Sequence, residues 1–285
     1  MRELLMVPPA HYTVAYEINP WMNRVRAVSQ EAAAGQWEGL RRVLTEEMGA
    51  VVHLAEPQPG LPDMVFTANA GLVLGETAIV SRFRHLERQG EAPHFARWFA
   101  ERSFRVVELP ADCFFEGEGD ALFLDDTLFA GYQWRTDVRA HRAVEEILGV
   151  RTLSLRLVDP HFYHLDTCFC PLDAETVAYY PGAFDDYGRE VIRANARETV
   201  EVVPDEAQRF ACNALVLGRH VALNTGCPQF EAQLRERGFV PHATPLDEFL
   251  KAGGSAKCLT LHLDRPAFLE HGGRTIESGE LAVPG

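Results

Sequence analysis

Several things are scarce in this sequence of 285 residues, and each scarcity closes off a class of function. No stretch approaches the roughly 18 apolar residues of a membrane-spanning helix. Met1 to Ala10 lack a charged segment followed by a long apolar run, so no secretory signal is expected. Positive charge is in deficit: 27 Lys and Arg against 41 Asp and Glu give a formal charge of −14. That balance argues against nucleic acid, whose phosphates require a basic surface, and it favours cationic small molecules. It is also the ordinary signature of a soluble surface. Cysteine is sparse, with six residues at 113, 168, 170, 212, 227 and 258. In a chain this long they do not make a disulfide framework and read as thiols of a reducing compartment, which places the protein in the cytoplasm. A CxxC pair, an HExxH helix, a phosphate loop, a dinucleotide glycine fingerprint and a GxSxG elbow are all missing, so neither a metal nor a cofactor is expected.

What is present is a globular composition, 47% hydrophobic and 24% charged, with an internal repeat. A short apolar strand, a turn and a second apolar strand occur as MVFTANAGLVLGETAIVSRF (64–83) and GDALFLDDTLFAGY (119–132). They recur as HLDTCFCPLDAETVAYYP (164–181) and CNALVLGRHVALNT (212–225), with a truncated fifth copy, KCLTLHLD (257–264). A polar residue stands near the start of each copy: Asn69, Asp120, Asp166, Asn213 and Cys258, at steps of 51, 46, 47 and 45 residues. Between hairpins lie amphipathic stretches. Residues 30–48 set Ala33, Trp37, Leu40, Leu44 and Met48 on one helical face, and similar patterns fall around 92–102, 138–148, 185–196 and 228–238. Short strand-like runs follow several of them, at 51–54, 105–109 and 151–155.

The unit is therefore hairpin, helix, strand, repeated five times. Units that cannot bury their apolar faces alone are expected to pack around a common axis. The segment LLMVPP (4–9) would lend its strand to the last hairpin and close the ring. The fold class expected is α/β, a pseudo-fivefold, five-bladed propeller with the five polar positions gathered at its centre. One catalytic domain over 1–265 is expected, with a polar tail over 266–285 whose Gly-rich end (271–285) would lie on the surface or move.

Chemistry is then sought among the polar positions. Cys258 ends the glycine-containing run KAGGSAKC, and a thiolate there would be a nucleophile if a bound cation or a histidine stabilised it. His164 and Asp166 lie in HLD; read as a strand, both side chains face one side. A histidine can protonate a departing amine and then deprotonate water near neutral pH. Asp166 could hold a planar cation. Glu116 opens EGEGD, where a carboxylate beside an imidazole would orient it, although Glu118 and Asp120 are equally placed for that task by spacing. Asn69 offers an amide, and Arg88 and Arg135 offer guanidinium forks suited to a carboxylate. His161, His164 and Asp166 form an HxxHxD pattern; on a strand, His161 and His164 would point to opposite faces and could not chelate a metal together.

These residues, in the stretches YEINPWM (16–22), PDMVFTANAGLVLGE (62–76), RHLERQGE (84–91), FEGEGDALF (115–123), FYHLDTCFCPL (162–172) and KAGGSAKCLTL (251–261), give the chain a resemblance to the guanidine-modifying (pentein, amidinotransferase) superfamily. It most resembles the arginine dihydrolase group, as a stand-alone catalytic domain, and is also similar to dimethylarginine dimethylaminohydrolases. The resemblance covers nearly 4–263 and implies a five-bladed α/β propeller with a central site and no cofactor. It implies Cys258 as nucleophile, His164 as acid and base, and Glu116 as its partner. It further implies Asn69 and Asp166 on the guanidinium, Arg88 and Arg135 on the substrate carboxylate, and Asn19 in a segment that covers the ligand.

Many superfamily members carry an acid where Asn69 stands, and the dihydrolase group carries Asn. The longer bifunctional members continue into an ornithine-converting portion, whereas this sequence stops at Gly285, so only the first reaction is expected. Implied is hydrolysis of arginine through an S-alkylthiouronium, to citrulline in one cycle or to ornithine, ammonia and carbon dioxide in two. Dimethylarginine hydrolysis is the alternative; an amidinotransferase or a non-catalytic arginine binder fits less well. The expected partner is a small cationic substrate, and whether identical copies assemble into a homo-oligomer is left open.

Overall fold

Short strands with a single repeated order organise the computed structural model, which describes residues 2–264. The tail expected over 266–285 lies outside the described residues. β1 (Glu3–Met6) pairs in parallel with β2 (Val51–Leu54). The next sheet holds β3 (Gly71–Leu74), β4 (Thr77–Val80) and β5 (Arg105–Glu108). Then come β6 (Ala121–Leu124), β7 (Thr127–Tyr132) and β8 (Arg151–Arg156), followed by β9 (Phe169–Pro171), β10 (Thr176–Tyr179) and β11 (Glu198–Glu201). The fifth group is β12 (Leu215–Leu217), β13 (His220–Asn224) and β14 (Val240–Thr244), and β15 (Leu261–His262) returns to pair antiparallel with β1. In every sheet the first two strands in this order are antiparallel and the third joins the second in parallel. The first sheet obeys the same rule only if β15 is its opening strand and β1 its second, as the sequence led one to expect of residues 4–9.

The parallel step requires a crossover, and helices Gln30–Arg42, Ala92–Ala100, Val138–Leu148, Asp186–Asn195 and Pro228–Glu236 supply it. The first is capped by Ser29, whose side chain accepts from Ala32 N at 3.3 Å, and it buries Ala33, Trp37 and Leu40. It does not run unbroken to residue 48. Val43–Glu47 widens into a π-helical turn, with Met48 N bonded to Val43 O at 3.0 Å, before Gly49 (φ +69) turns the chain out of the helix.

Strand alternation explains how the sheets are held. In β1, Leu4 and Met6 enter one apolar cluster with Leu215, Leu217 and Ala222 of the fifth sheet, whereas Leu5 enters another with Val73, Ala78 and Val80 of the second. Leu72 and Ile79, on the opposite face of the second sheet, join Ala121, Phe123 and Leu128 of the third. Leu122, Leu124 and Phe129 join the fourth sheet's Phe169, Val177 and Tyr179 and the fifth sheet's Val221 and Leu223. Neighbouring sheets thus share their cores in cyclic order, and strands buried on both faces read as continuous apolar runs. Among the described residues no helix is long and apolar enough to cross a membrane.

One local expectation fails. His164, Leu165 and Asp166 are not a strand: Leu165–Thr167 is a 3-10 turn, tightened by Thr167 N and Oγ1 both donating to His164 O, and β9 starts only at Phe169. Local side-chain and backbone bonds won over strand pairing there. The polar position of each repeat lies in such a turn, or at its end, one to three residues ahead of the strand.

Leu4 is fully buried at the join between first and last repeats. Leu4→Ala is expected to cost about 2–5 kcal/mol of unfolding free energy in urea titrations. A cost within experimental error would show that the join adds little.

Candidate active site

The turns bring the repeat's polar positions together, and hydrogen bonds link them in a closed circuit. Asn69 Nδ2 donates to Glu116 O (3.2 Å) and Leu165 N to Asp120 Oδ1 (3.0 Å). Asn213 Nδ2 donates to Asp166 O (3.0 Å) and to Cys258 Sγ (3.1 Å), and Ala68 N donates to Cys258 O (3.1 Å). Two glycines permit this closeness. Gly117 sits at φ +60, where a Cβ would meet Gly71 O at 2.5 Å, and a Cβ on Gly119 would strike the Asn69 amide.

His164 Nε2 is 2.8 Å from Glu116 Oε2, which also accepts from Arg135 Nη1 at 3.0 Å. The three alternating acids of EGEGD are thereby told apart, because each meets a different partner. Glu116 meets His164; Asp120 meets Leu165 N; Glu118 accepts from Lys257 Nζ (2.7 Å) and His262 N (3.2 Å). Burial opposes ionisation of Glu116, but Arg135 and the His164 bond overcome it and hold the carboxyl well below the usual range. Burial likewise opposes Glu118, and Lys257 with His262 bring it down to about 2. Burial pushes the His164 imidazole down to about 4 against the pull of Glu116, leaving a neutral ring at neutral pH.

Cys258 is 2% exposed, its sulfur 3.2 Å from Asp166 Oδ2. Burial, and then the Asp166 charge, push the thiol well above its ordinary value. Burial raises Asp166 to about 7, with Lys257, Cys258 and Asn213 pulling it back. Asp166 Oδ1 is buried with no hydrogen-bond partner.

Arg88, bonded to Asn69, belongs to a buried network. Its Nε and Nη2 grip Glu91 (2.8 Å each), Nη2 reaches Asp63 O (3.1 Å), and Nη1 donates to Asn69 Oδ1 (2.8 Å), which leaves one of its five hydrogens for a ligand. Burial lifts Glu91 to about 7 in spite of Arg88. Asp63 Oδ1 and the Tyr16 hydroxyl are also buried, and Tyr16 lies near enough to pull the Asp63 carboxyl down against the effect of burial. Arg135 stacks over Tyr163 and donates to Ile18 O (3.1 Å), which seats the 16–22 segment against the site. Asn19 closes that segment on itself and on Ala252 O (3.0 Å). His161 stays exposed on Asp159 (3.0 Å) while His164 is buried. The two histidines are therefore separated by the turn and not by strand alternation, and no group of three metal-ligating side chains forms among the described residues.

All eight residues singled out in the sequence thus fall in one connected region. The sequence reading missed Asp63 and Lys257, whose importance comes from long-range partners, and Glu91, whose partner Arg88 lies three residues away. It noted Asn213 only as a repeat marker.

The circuit thus gathers a buried thiol, an imidazole–carboxylate pair and an acid oxygen without a partner in one buried cluster. The family model for N,N dimethylarginine dimethylhydrolase, eukaryotic, matches residues 13–265, and the chain belongs to that dimethylarginine dimethylaminohydrolase family. It is 47% identical over 288 residues to the bifunctional arginine dihydrolase/ornithine cyclodeaminase ArgZ of Synechocystis, covering 99% of this chain but 41% of that relative's length. It is 43% identical to the N(G),N(G)-dimethylarginine dimethylaminohydrolase of Mycobacterium tuberculosis, over 92% of this chain and 86% of that protein. The N-terminal domain of ArgZ, solved with substrate bound, superposes with a TM-score of 0.90 at 47% identity, covering 93% of this chain and 99% of that one.

Lys257 and Glu118 are 5% and 8% exposed and bonded to each other. Lys257→Met strands the carboxylate and is expected to cost about 3–5 kcal/mol in thermal or urea unfolding. Lys257→Met with Glu118→Gln should recover much of it; no recovery would mean the pair acts through something other than charge.

Proposed function

We propose that this chain hydrolyses the guanidino group of arginine with Cys258 as nucleophile, in a single catalytic domain shaped as a five-bladed α/β propeller with the site on its axis. The cyclic sharing of cores supports the propeller reading. The observation that carries the activity is the Cys258 sulfur 3.2 Å from Asp166, whose second oxygen is buried and unpartnered. A buried acid with an open oxygen is costly, and a guanidinium satisfies it while placing its electron-poor carbon beside the thiol. The same positive charge favours the thiolate, which the empty site disfavours, so the nucleophile is generated by its own substrate.

The remaining groups fit an α-amino acid. Arg135, with the last Nη1 hydrogen of Arg88, supports a reading as the carboxylate clamp, and the buried Asp63 carboxyl suits the α-ammonium. Asn19 holds the segment that covers the ligand.

In the first cycle Sγ bonds to the guanidino carbon, and the thiol proton passes through His164 to the departing nitrogen, which leaves as ammonia. An S-alkylthiouronium remains. Water then attacks, giving a proton to His164; the C–S bond breaks and citrulline forms. In the second cycle the thiol attacks the ureido carbon and ammonia leaves again. Hydrolysis of the resulting thiocarbamate gives a carbamic acid that falls to ornithine and carbon dioxide. Glu116 holds the imidazole and steadies its charge in each step.

The second cycle needs a pocket that accepts a neutral group. Asn69 donates to Glu116 O and accepts from Arg88, and an acid in its place would set a second carboxylate oxygen against the Glu116 carbonyl and add a buried charge that the neutral ureido group does not offset. Two cycles, giving ornithine, are therefore the favoured outcome. Dimethylarginine is the second reading, favoured by the identity to the mycobacterial enzyme.

Purified protein incubated with arginine, citrulline, agmatine and dimethylarginine, with products and ammonia measured, tests this directly. Arginine is expected to give ornithine, and Cys258→Ser to give nothing. Asn69→Asp is expected to shift the product toward citrulline; unchanged ornithine from that variant refutes the role given to the amide. Dimethylamine release outpacing ammonia release would make dimethylarginine the substrate.

A further inference from the structure

Asn213, like Asp120, is a polar position of the repeats that neither the resemblance nor the proposed mechanism uses, yet its side chain makes four hydrogen bonds, one of them to the Cys258 sulfur. It is fully buried in the turn ahead of β12. Its Oδ1 accepts from Ser255 N (3.0 Å) and Cys258 N (3.2 Å), and its Nδ2 donates to Asp166 O (3.0 Å) and Cys258 Sγ (3.1 Å). The orientation of the amide is not arbitrary. Two backbone N–H groups on one side demand an acceptor there, so the NH₂ must face the sulfur and the Asp166 carbonyl.

That orientation assigns roles at the sulfur. Facing a donor on Asn213 and an acceptor on Asp166 Oδ2, Sγ accepts from the first and, as a thiol, donates to the second. When the proton leaves, the bond from Asn213 strengthens, because a donor aimed at an anion is worth more than one aimed at a neutral atom. The two Oδ1 contacts meanwhile hold the backbone of 255–258, which fixes where the sulfur points.

We propose that Asn213 is a positioning residue for the reaction, holding the Cys258 sulfur in place through its amide and stabilising it as the thiolate. The inference rests on Cys258 being the nucleophile, as proposed above, but not on which guanidino compound is the substrate.

The test reads the sulfur without substrate. Alkylation of the Cys258 peptide by iodoacetamide is followed by mass spectrometry across pH in the wild type and in Asn213→Asp, with melting temperature measured in parallel. Aspartate can still accept from both backbone N–H groups but cannot donate to sulfur. The expected result is a pH profile displaced upward and alkylation slowed by about tenfold to a hundredfold at mildly alkaline pH, the range set by one hydrogen bond to a charged group. With substrate, kcat should fall and KM change little. An unshifted alkylation profile in the folded variant overturns the proposal, even if turnover is lost. Should Asn213→Asp fail to fold, the same profile on Asn213→Ser decides, with a smaller upward shift expected and no shift contradicting. Normal alkylation behaviour combined with failure to turn over arginine in the wild type would count against the proposed substrate and leave the assignment of Asn213 standing on the profile alone.

Discussion

A thiol and a carboxylate buried side by side constrain everything else in this molecule. Cys258 and Asp166 both become anions only at a cost that the low-polarity interior does not offset, and the thiol and the carboxyl are accordingly both pushed up by burial. A planar cation between and beside them removes the cost for both. On the proposed reading, selection for a cationic substrate and activation of the nucleophile are then a single electrostatic event. The neutral His164 is held on an ionised Glu116, in the state the proposed proton carrier requires.

Maintaining such a conflict demands a rigid frame, and the frame comes from repetition. The apolar strands of neighbouring repeats share their cores around the ring, so no sheet can shift without disturbing the next. The turn that precedes each opening strand projects one polar residue, and these residues bond to their neighbours in sequence around the site. β1 is the closing piece: it is first in the chain, yet it lies between the last strand and β2. Buried pairs such as Arg88 with Glu91 and Lys257 with Glu118 keep charge close to the site without exposing it to water.

Much of this was readable in the residues. The spacing of Asn69, Asp120, Asp166, Asn213 and Cys258 foretold five equivalent positions, though not that they sit in turns, and the apolar periodicity around 138–148 foretold the Val138–Leu148 helix. Local chemistry decided where that reading failed. HLD has strand-like residues, but Thr167 bonds back to His164 and makes a turn. The end of the first helix widened where Gly49 follows. The choice among Glu116, Glu118 and Asp120 could not be read, because three acids spaced by two residues look alike until a histidine 48 residues away selects one. Asn213 was visible as a marker, but its four bonds depend on residues 166, 255 and 258 arriving in the same place.

The central claim is a covalent bond between the sulfur of Cys258 and the guanidino carbon. Rapid acid quenching of the protein mixed with arginine, followed by peptide mass spectrometry, tests it most directly. The Cys258 peptide is predicted to carry an adduct equal in mass to arginine less ammonia during the first turnover. Ammonia released in that turnover while the peptide stays unmodified at every quench time would contradict the account.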